Sequence, residues 1–163
     1  MRIRTAEAGD LEALLAIYNY EVEHGVATLD LHPKTLAQRR EWLLCHNVGH
    51  HPLIVAEADG RVAGYASLSP YREKEAYSST VELSVYVHPE CRGQGVATAL
   101  MERILDMARK DDALHLVVSV ITAGNAASVR LHEKFGFAYC GSLHQVGRKF
   151  GRYLDIENYE LRV

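Results

Sequence analysis

The sequence predicts an α/β (α+β) domain in which helices pack on the faces of a mixed β-sheet. Apolar runs of strand length alternate along the chain with runs whose apolar residues recur three and four positions apart, the spacing of an amphipathic helix. The predicted order of elements is β-α-α-β-β-β-α-β-α-β-β. This mixture of strands and helices favours layers built around one sheet.

The first part of the chain contains a strand, two helices and a hairpin. A short strand covers residues 2–5, and an amphipathic helix over residues 11–22 ends near Gly25. Pro33 can occupy the first turn of the second helix. Strands at residues 53–56 and 62–66 flank Asp59-Gly60, a strong hairpin signal. The periodic residues of the second helix are Leu36, Arg40, Leu43 and Leu44.

The second part alternates strands with helices more regularly. An alternating strand at residues 81–87 leads through a glycine-bearing turn into a helix whose apolar residues share one face. A buried type of strand follows at residues 114–120. A helix from about residue 125 to residue 135 then stops at Gly136, and the region of residues 153–161 alternates like a final strand.

The turn after residue 87 is the most informative segment of the chain. Backbone N–H groups at a helix N-terminus lack partners and can hold phosphate oxygens, and Gly93 and Gly95 let a bulky anion approach the backbone closely. A dinucleotide fingerprint needs glycine where Thr98 stands, and a nucleoside-triphosphate loop needs a lysine that the turn lacks. An ordinary strand–helix turn is the alternative interpretation of the two glycines.

Two motifs resemble those of the GCN5-related N-acetyltransferase (GNAT) family. Arg92-x-x-Gly95-x-Ala97 is similar to its R/Q-x-x-G-x-G/A pyrophosphate loop, and residues 125–137 resemble its N-x-x-[AS]-x-x-L-[YH]-x-x-x-G-F segment. Residues 80–82 and 145–155 narrow the resemblance to the phosphinothricin/methionine sulfoximine acetyltransferase group. The resemblance implies one GNAT domain over residues 1–163, a mixed and mostly antiparallel sheet of about seven strands flanked by four helices.

Composition limits the partners and the compartment. The net charge of −3 offers no general reason to bind nucleic acid, and no apolar run is long enough to span a bilayer. Three widely spaced cysteines make a disulfide framework unexpected, so we predict a cytoplasmic protein without nucleic-acid or membrane partners. His46, His50 and His51 cluster in the sequence, but no second ligand group stands at zinc spacing, and we predict no metal site.

The resemblance implies acetyl-CoA as co-substrate. The loop amides would bind the pyrophosphate, while the backbone of Val85 and Val87 would pair with the pantetheine arm as an added strand does. Asn125 and Ser128 would contact that arm from the far side. The predicted cofactor-binding residues are Val85, Tyr86, Val87, Arg92, Gly93, Gln94, Gly95, Val96, Ala97, Thr98, Asn125 and Ser128.

Glu82 and His132 are the predicted catalytic residues. An α-amine is largely protonated near neutral pH, so a base must remove a proton before the amine attacks. A carboxylate at position 82, flanked by apolar neighbours, would have a raised pKa if desolvated, which suits a base acting through a water. His132 could orient the cofactor thiol or protonate the leaving thiolate. The alternatives are a solvated strand glutamate and a half-buried helix histidine.

Substrate selection is predicted to rest on Arg72, Lys74, Tyr77 and Lys149, which resemble basic and aromatic residues of the group. Cations can hold the carboxylate or phosphinate of an amino-acid analogue. A solvated charged loop is the alternative interpretation of residues 71–77. Leu29 stands where the group usually has an aromatic residue, so the pocket that accepts the substrate can differ in shape.

The function that these observations favour is transfer of acetyl from acetyl-CoA to the α-amine of a small amino acid or analogue, of the phosphinothricin or methionine sulfoximine type. A peptide or protein N-terminal acetyltransferase and a non-catalytic acyl-CoA-binding module are the alternatives. An intact Glu82 argues against the module. The resemblance also implies a homodimer.

Overall fold

One seven-stranded sheet, in the order β1-β2-β3-β4-β5-β7-β6, organises the computed structural model, which describes residues 1–163. The elements occur in the predicted order. Short 3₁₀ turns cover Ala8–Asp10, Glu75–Tyr77 and Pro89–Cys91. The strands and helices are β1 (Arg2–Thr5), α1 (Leu11–His24), α2 (Leu36–Leu44), β2 (Leu53–Ala58), β3 (Arg61–Pro70), β4 (Thr80–Val87), α3 (Val96–Arg109), β5 (Leu116–Thr122), α4 (Ala126–Lys134), β6 (Ala138–Lys149) and β7 (Arg152–Arg162).

All neighbouring strands pair antiparallel except β4 and β5, which run parallel. The β2–β3 hairpin turns at Asp59 and Gly60, both with positive φ, as the sequence predicted. The mixed, mostly antiparallel sheet with four helices confirms the predicted fold class.

The two faces of the sheet carry different helices because side chains alternate along each strand. On one face, Ile54 and Leu68 pack in a cluster with the buried stripe of α3, which includes Leu100 and Ile104. On the other face, Leu53, Val55 and Tyr65 pack with Leu14 and Ile17 of α1. Truncating a fully buried leucine in such a core costs about 2–5 kcal/mol of stability.

The second helix differs from its prediction in start and in orientation. It begins at Leu36, because the Thr35 side chain accepts a hydrogen bond from the Gln38 amide and forms the N-cap. Leu44 is 68% exposed, whereas Arg39 is 4% exposed. Of the predicted periodic residues, Leu43 alone packs against the β2–β3 cluster. Leu36 and Arg40 are exposed like Leu44, so the pattern was wrong about most of the buried face of α2. None of the four α-helices combines the length and the hydrophobicity that a membrane span requires.

Candidate active site

The candidate site lies where β4 and β5 part. The two strands pair only from Thr80–Leu116 to Glu82–Val118, although β4 continues to Val87 and remains paired to β3 along its length. Beyond Glu82, β4 therefore has no strand partner on its β5 side. This opening in the sheet is the structural origin of the site.

The backbone groups of Val85 and Val87 point into the opening. The His88 amide donates to the Ala63 carbonyl on the β3 side at 2.8 Å. Because backbone polar groups alternate sides along a strand, those of Tyr86 also face β3, and those of Val85 and Val87 face away from it. They are available to an extended ligand.

A cavity of about 900 Å³ occupies the opening and continues under the segment of residues 26–30 and helix α2. It brings together most of the residues that were predicted from distant parts of the sequence. The predicted residues that line it are Glu82, Val85, Tyr86, Val87, Arg92, Ala97, Asn125, Ser128 and His132.

The first turn of α3 offers free backbone donors at one end of this cavity. The first helical hydrogen bond runs from the Ala99 amide to the Gly95 carbonyl at 3.1 Å, and no side chain caps the helix. The amides of residues 96–98 are therefore without backbone acceptors. Gly93 and Gly95 have φ values of 74° and 80°, and a Cβ at either position would meet nothing within 4 Å. This is the open, anion-binding geometry of a helix N-terminus.

The remaining cofactor residues of the loop contribute differently. Gln94 is exposed, and its side chain donates to the Glu90 carbonyl at 2.9 Å. The Val96 side chain is buried in the core, so only its backbone can face a ligand. Arg92 forms an ion pair with Glu21 of α1, which ties the loop to the opposite wall.

Glu82 has no hydrogen-bond or ion-pair partner among the side chains. It lies on β4 opposite Ser69 of β3, half-buried in the cavity wall. Burial raises the pKa of its carboxyl above the ordinary value. A carboxylate without a cationic partner and with a raised pKa is suited to accept a proton near neutral pH.

His132 is buried, and its position defines its tautomer. Its Nδ1 lies 2.7 Å from the Ser128 carbonyl oxygen, so Nδ1 carries the proton that is donated. Burial lowers the pKa of this imidazole. The neutral ring then presents Nε2 as an acceptor, which favours orientation of a thiol over protonation of a thiolate.

The structure places three of the predicted substrate residues on one exposed connection and the fourth, Lys149, elsewhere. Arg72, Lys74 and Tyr77 are exposed on the β3–β4 connection, outside the cavity lining, and the Arg72 guanidinium lies 5.8 Å from the ring centre of Tyr77. Lys149 is buried and does not line the cavity; its Nζ donates to the Thr28 carbonyl at 2.9 Å. Burial lowers the pKa of this ammonium.

Sequence reasoning missed several polar and aromatic residues of the cavity lining that come from β3, α1, α2 and the segment between these helices. Tyr65 of β3 and Arg39 and Trp42 of α2 line the cavity, together with Tyr18 and Asp30, whose side chains hydrogen-bond to each other. The signal in the sequence was the three-residue spacing of Arg39 and Trp42, which places both on one face of α2.

Comparison with known families decides the class of this site. The family model described as Acetyltransferase (GNAT) family matches residues 14–137, which include most of α1, the α3 loop and α4. The chain belongs to the GNAT family of acetyltransferases. The GNAT motifs predicted at Arg92–Ala97 and at residues 125–137 both fall within this match.

Three GNAT relatives have similarity over almost the whole chain. L-methionine sulfoximine/L-methionine sulfone acetyltransferase of Pseudomonas paraeruginosa is 41% identical, over 99% of this chain and 94% of its own. The solved structure of ribosomal-protein-alanine N-acetyltransferase from Brucella melitensis is 42% identical with a TM-score of 0.96, covering 100% of both chains. That of a phosphinothricin acetyltransferase from Sinorhizobium meliloti, in complex with AcCoA, is 31% identical with a TM-score of 0.95, covering 99% of this chain and 88% of that one.

Proposed function

We propose that this GNAT protein is an acetyl-CoA-dependent N-acetyltransferase that acetylates the α-amine of a small amino acid or analogue, of the methionine sulfoximine or phosphinothricin type. One observation carries the proposal: Glu82, a carboxylate without a partner, faces the cavity into which the free backbone of β4 also opens. The names of the Pseudomonas and Sinorhizobium relatives support the substrate class.

Acetyl-CoA fits the free groups at the strand opening. The open glycines and the free amides at the start of α3 suit the pyrophosphate, and the backbone of Val85 and Val87 suits the amides of the pantetheine arm. Asn125 and Ser128 line the cavity at the start of α4, although the Asn125 side chain accepts from the Ser128 amide. Because this oxygen is already used within α4, Asn125 and Ser128 would contact the arm mainly through van der Waals packing.

Glu82 would accept a proton from the substrate ammonium, directly or through a water. The freed amine lone pair then attacks the thioester carbonyl carbon, an N–C bond forms, and the C–S bond breaks. The sulfur leaves as thiolate and takes up the proton that the acylated nitrogen releases, so that the products are the N-acetylated amine and the free thiol. The first proton passes from Glu82 to solvent. His132, neutral and fixed by Ser128, would hold the thiol end through Nε2.

Peptide N-terminal acetylation is the second candidate function, because the Brucella relative carries that kind of name. The site argues for a smaller acceptor. The cavity is covered on the acceptor side by residues 26–30 and by α2, and Lys149 fixes that cover by bonding to Thr28 and Glu21. We therefore propose that Lys149 acts indirectly, by holding in place the segment of residues 26–30, whose Leu29 lines the pocket.

The other predicted substrate residues stay proposals. Arg72, Lys74 and Tyr77 follow directly on β3, whose Ser69 lines the cavity. We also propose that the protein is a cytoplasmic homodimer without nucleic-acid or membrane partners. The odd number of cysteines, all unpaired, supports a reducing compartment. The exposed apolar side chains of edge strand β6 support a dimer.

The decisive experiment compares acceptors in steady state. With acetyl-CoA saturating, kcat/KM should be higher for L-methionine sulfoximine and L-phosphinothricin than for short peptides with an N-terminal alanine. If kcat/KM is higher for the peptides than for both amino-acid analogues, the protein is a peptide N-terminal acetyltransferase instead. Acetyl-CoA binding without acetylation of any amine would leave only an acyl-CoA-binding module.

A further inference from the structure

Arg39 is a buried cation that no carboxylate of the protein neutralises. The side chain is 4% exposed and lies in the cavity wall. Its guanidinium carbon is 3.5 Å from the ring centre of Trp42, and its Nη2 donates to the Tyr65 hydroxyl at 2.6 Å. Its Nε is buried without a hydrogen-bond partner. One of the five N–H donors of the guanidinium is thus used by a side chain of the protein.

The other cations of the cavity wall are already paired. Arg92 is paired with Glu21, and the Lys34 Nζ lies 3.2 Å from the Asp30 carboxylate. Burying an unpaired charge costs free energy unless a counter-charge or good hydrogen bonds compensate it. Stacking on Trp42 and the bond to Tyr65 compensate part of that cost for Arg39 and fix the plane of the guanidinium. An anion in the cavity would supply the rest.

The cavity wall therefore holds one unpaired cation and one unpaired anion. Glu82 lies opposite Ser69, and Tyr65, which accepts from Arg39, lies opposite Tyr86 in the same β3–β4 ladder. Odd-numbered β3 residues and even-numbered β4 residues share the sheet face that α1 and α2 cover. An α-amino acid carries the complementary pair of charges, an ammonium and a carboxylate.

We propose that Arg39 binds the carboxylate of the acetyl acceptor, while Glu82 receives its amine. The inference rests on the proposed function, because it assumes an amino-acid acceptor. A guanidinium suits this role since its planar fork can hold a carboxylate through two parallel hydrogen bonds. A peptide N-terminus has no carboxylate next to its amine, so Arg39 would also select amino acids over peptides.

The test compares L-methionine sulfone with its carboxamide. The sulfone tail is uncharged, so the carboxylate is the single anionic group of the acid, and the carboxamide removes that charge while keeping the size. Wild-type protein should prefer the acid by about 10–100-fold in kcat/KM, as expected for a charge-assisted pair. In Arg39→Met, kcat/KM for the acid should fall by that factor while kcat/KM for the amide hardly changes. The acid-to-amide ratio of kcat/KM should therefore approach one. Arg39→Lys should retain part of it.

Arg40→Met is the matched control, because Arg40 is the adjacent arginine of α2 and is exposed. It should keep the wild-type preference. Acetyl-CoA affinity measured by calorimetry checks that each variant is folded, and Arg39→Lys keeps the test informative should the methionine variant fail to fold. An unchanged acid-to-amide ratio in a folded Arg39 variant, with a wild type active on the acid, overturns the role of Arg39 alone. A wild type that acetylates no amino acid overturns the proposed function and, with it, this role.

Discussion

At the scale of single residues, ion pairs and hydrogen bonds distinguish the three carboxylates of the cavity. The one without a partner is the one suited to act as a base. Glu21 is paired with Arg92, and Asp30 with Lys34 and the Tyr18 hydroxyl, whereas Glu82 has no such partner. Hydrogen bonding and nearby cations favour the ionised carboxylate, while burial alone favours the protonated form. The raised pKa of Glu82 therefore follows from its burial without a partner.

Glu82→Gln should lower kcat near neutral pH by about 10²–10⁴-fold, the usual contribution of a positioned general base. Acetyl-CoA affinity should hardly change, because Glu82 is assigned to the amine. Raising the pH should restore part of the rate, since more substrate amine then arrives deprotonated. The pH–rate profile is the measurement, and a glutamine variant with the wild-type kcat and profile would remove Glu82 from the mechanism.

Stability gives an independent check on the same substitution. A carboxyl whose pKa is raised in the folded state destabilises the fold when ionised. That penalty is present above the raised pKa and is lost as pH falls below the ordinary value of 4.5. Glu82→Gln should thus have a Tm equal to or above that of wild type at pH 7–8, so a low rate together with a lowered Tm would indicate misfolding instead.

At the scale of elements, the start of α3 is assigned to the pyrophosphate because its first amides are free. Ala97→Glu should weaken acetyl-CoA binding by about 10–100-fold, since it places a carboxylate among the amides where the phosphates would lie. The same carboxylate interacts favourably with a helix N-terminus, so the fold should not be destabilised.

Ala97→Gln is the matched control, because it adds a similar side chain without the charge. Calorimetric titration with coenzyme A compares the two variants, and thermal melts report the fold. Equal affinities of the glutamate and glutamine variants would show that the pyrophosphate does not lie at this helix end.

At the scale of the whole molecule, the edge strand β6 presents apolar side chains to solvent. Tyr139 is 57% exposed, Leu143 53% and Val146 50%. An exposed apolar edge strand favours association and is normally covered. The covering partner proposed here is a second copy of the chain.

Light scattering should therefore find a particle of twice the 18.2 kDa chain mass. Leu143→Glu should shift the particle towards the monomer, because a dimer would bury the introduced charge. Leu44→Glu is the control, since Leu44 of α2 is 68% exposed and away from β6. A wild type that stays monomeric at every concentration tested would contradict the dimer.

What the sequence determined by itself is local. The element order, the Asp59-Gly60 hairpin and the α3 loop were all predicted, because each depends on neighbours within a few residues. The GNAT family and fold were predicted from the resemblance of local motifs, the Arg92–Ala97 loop and residues 125–137, to those of the family. Glu82 was predicted as the base because residues 80–82 resemble a motif of the acetyltransferase group, and that role stays a prediction.

Only the tertiary structure decided which residues line the cavity. Arg39 lines the cavity and donates a hydrogen bond to Tyr65, which is 26 positions away in the sequence. Lys149 lies outside the cavity lining because its ammonium donates to the carbonyl of Thr28, 121 positions away. A helical period specifies which residues share a face, but the rotation of α2 is set by the packing of Trp42 and Arg39 against β3. Whether a cation is neutralised depends on which carboxylates the fold brings near it. Arg39 is unpaired because Glu21 and Asp30 of the same cavity have other partners and Glu82 forms no ion pair.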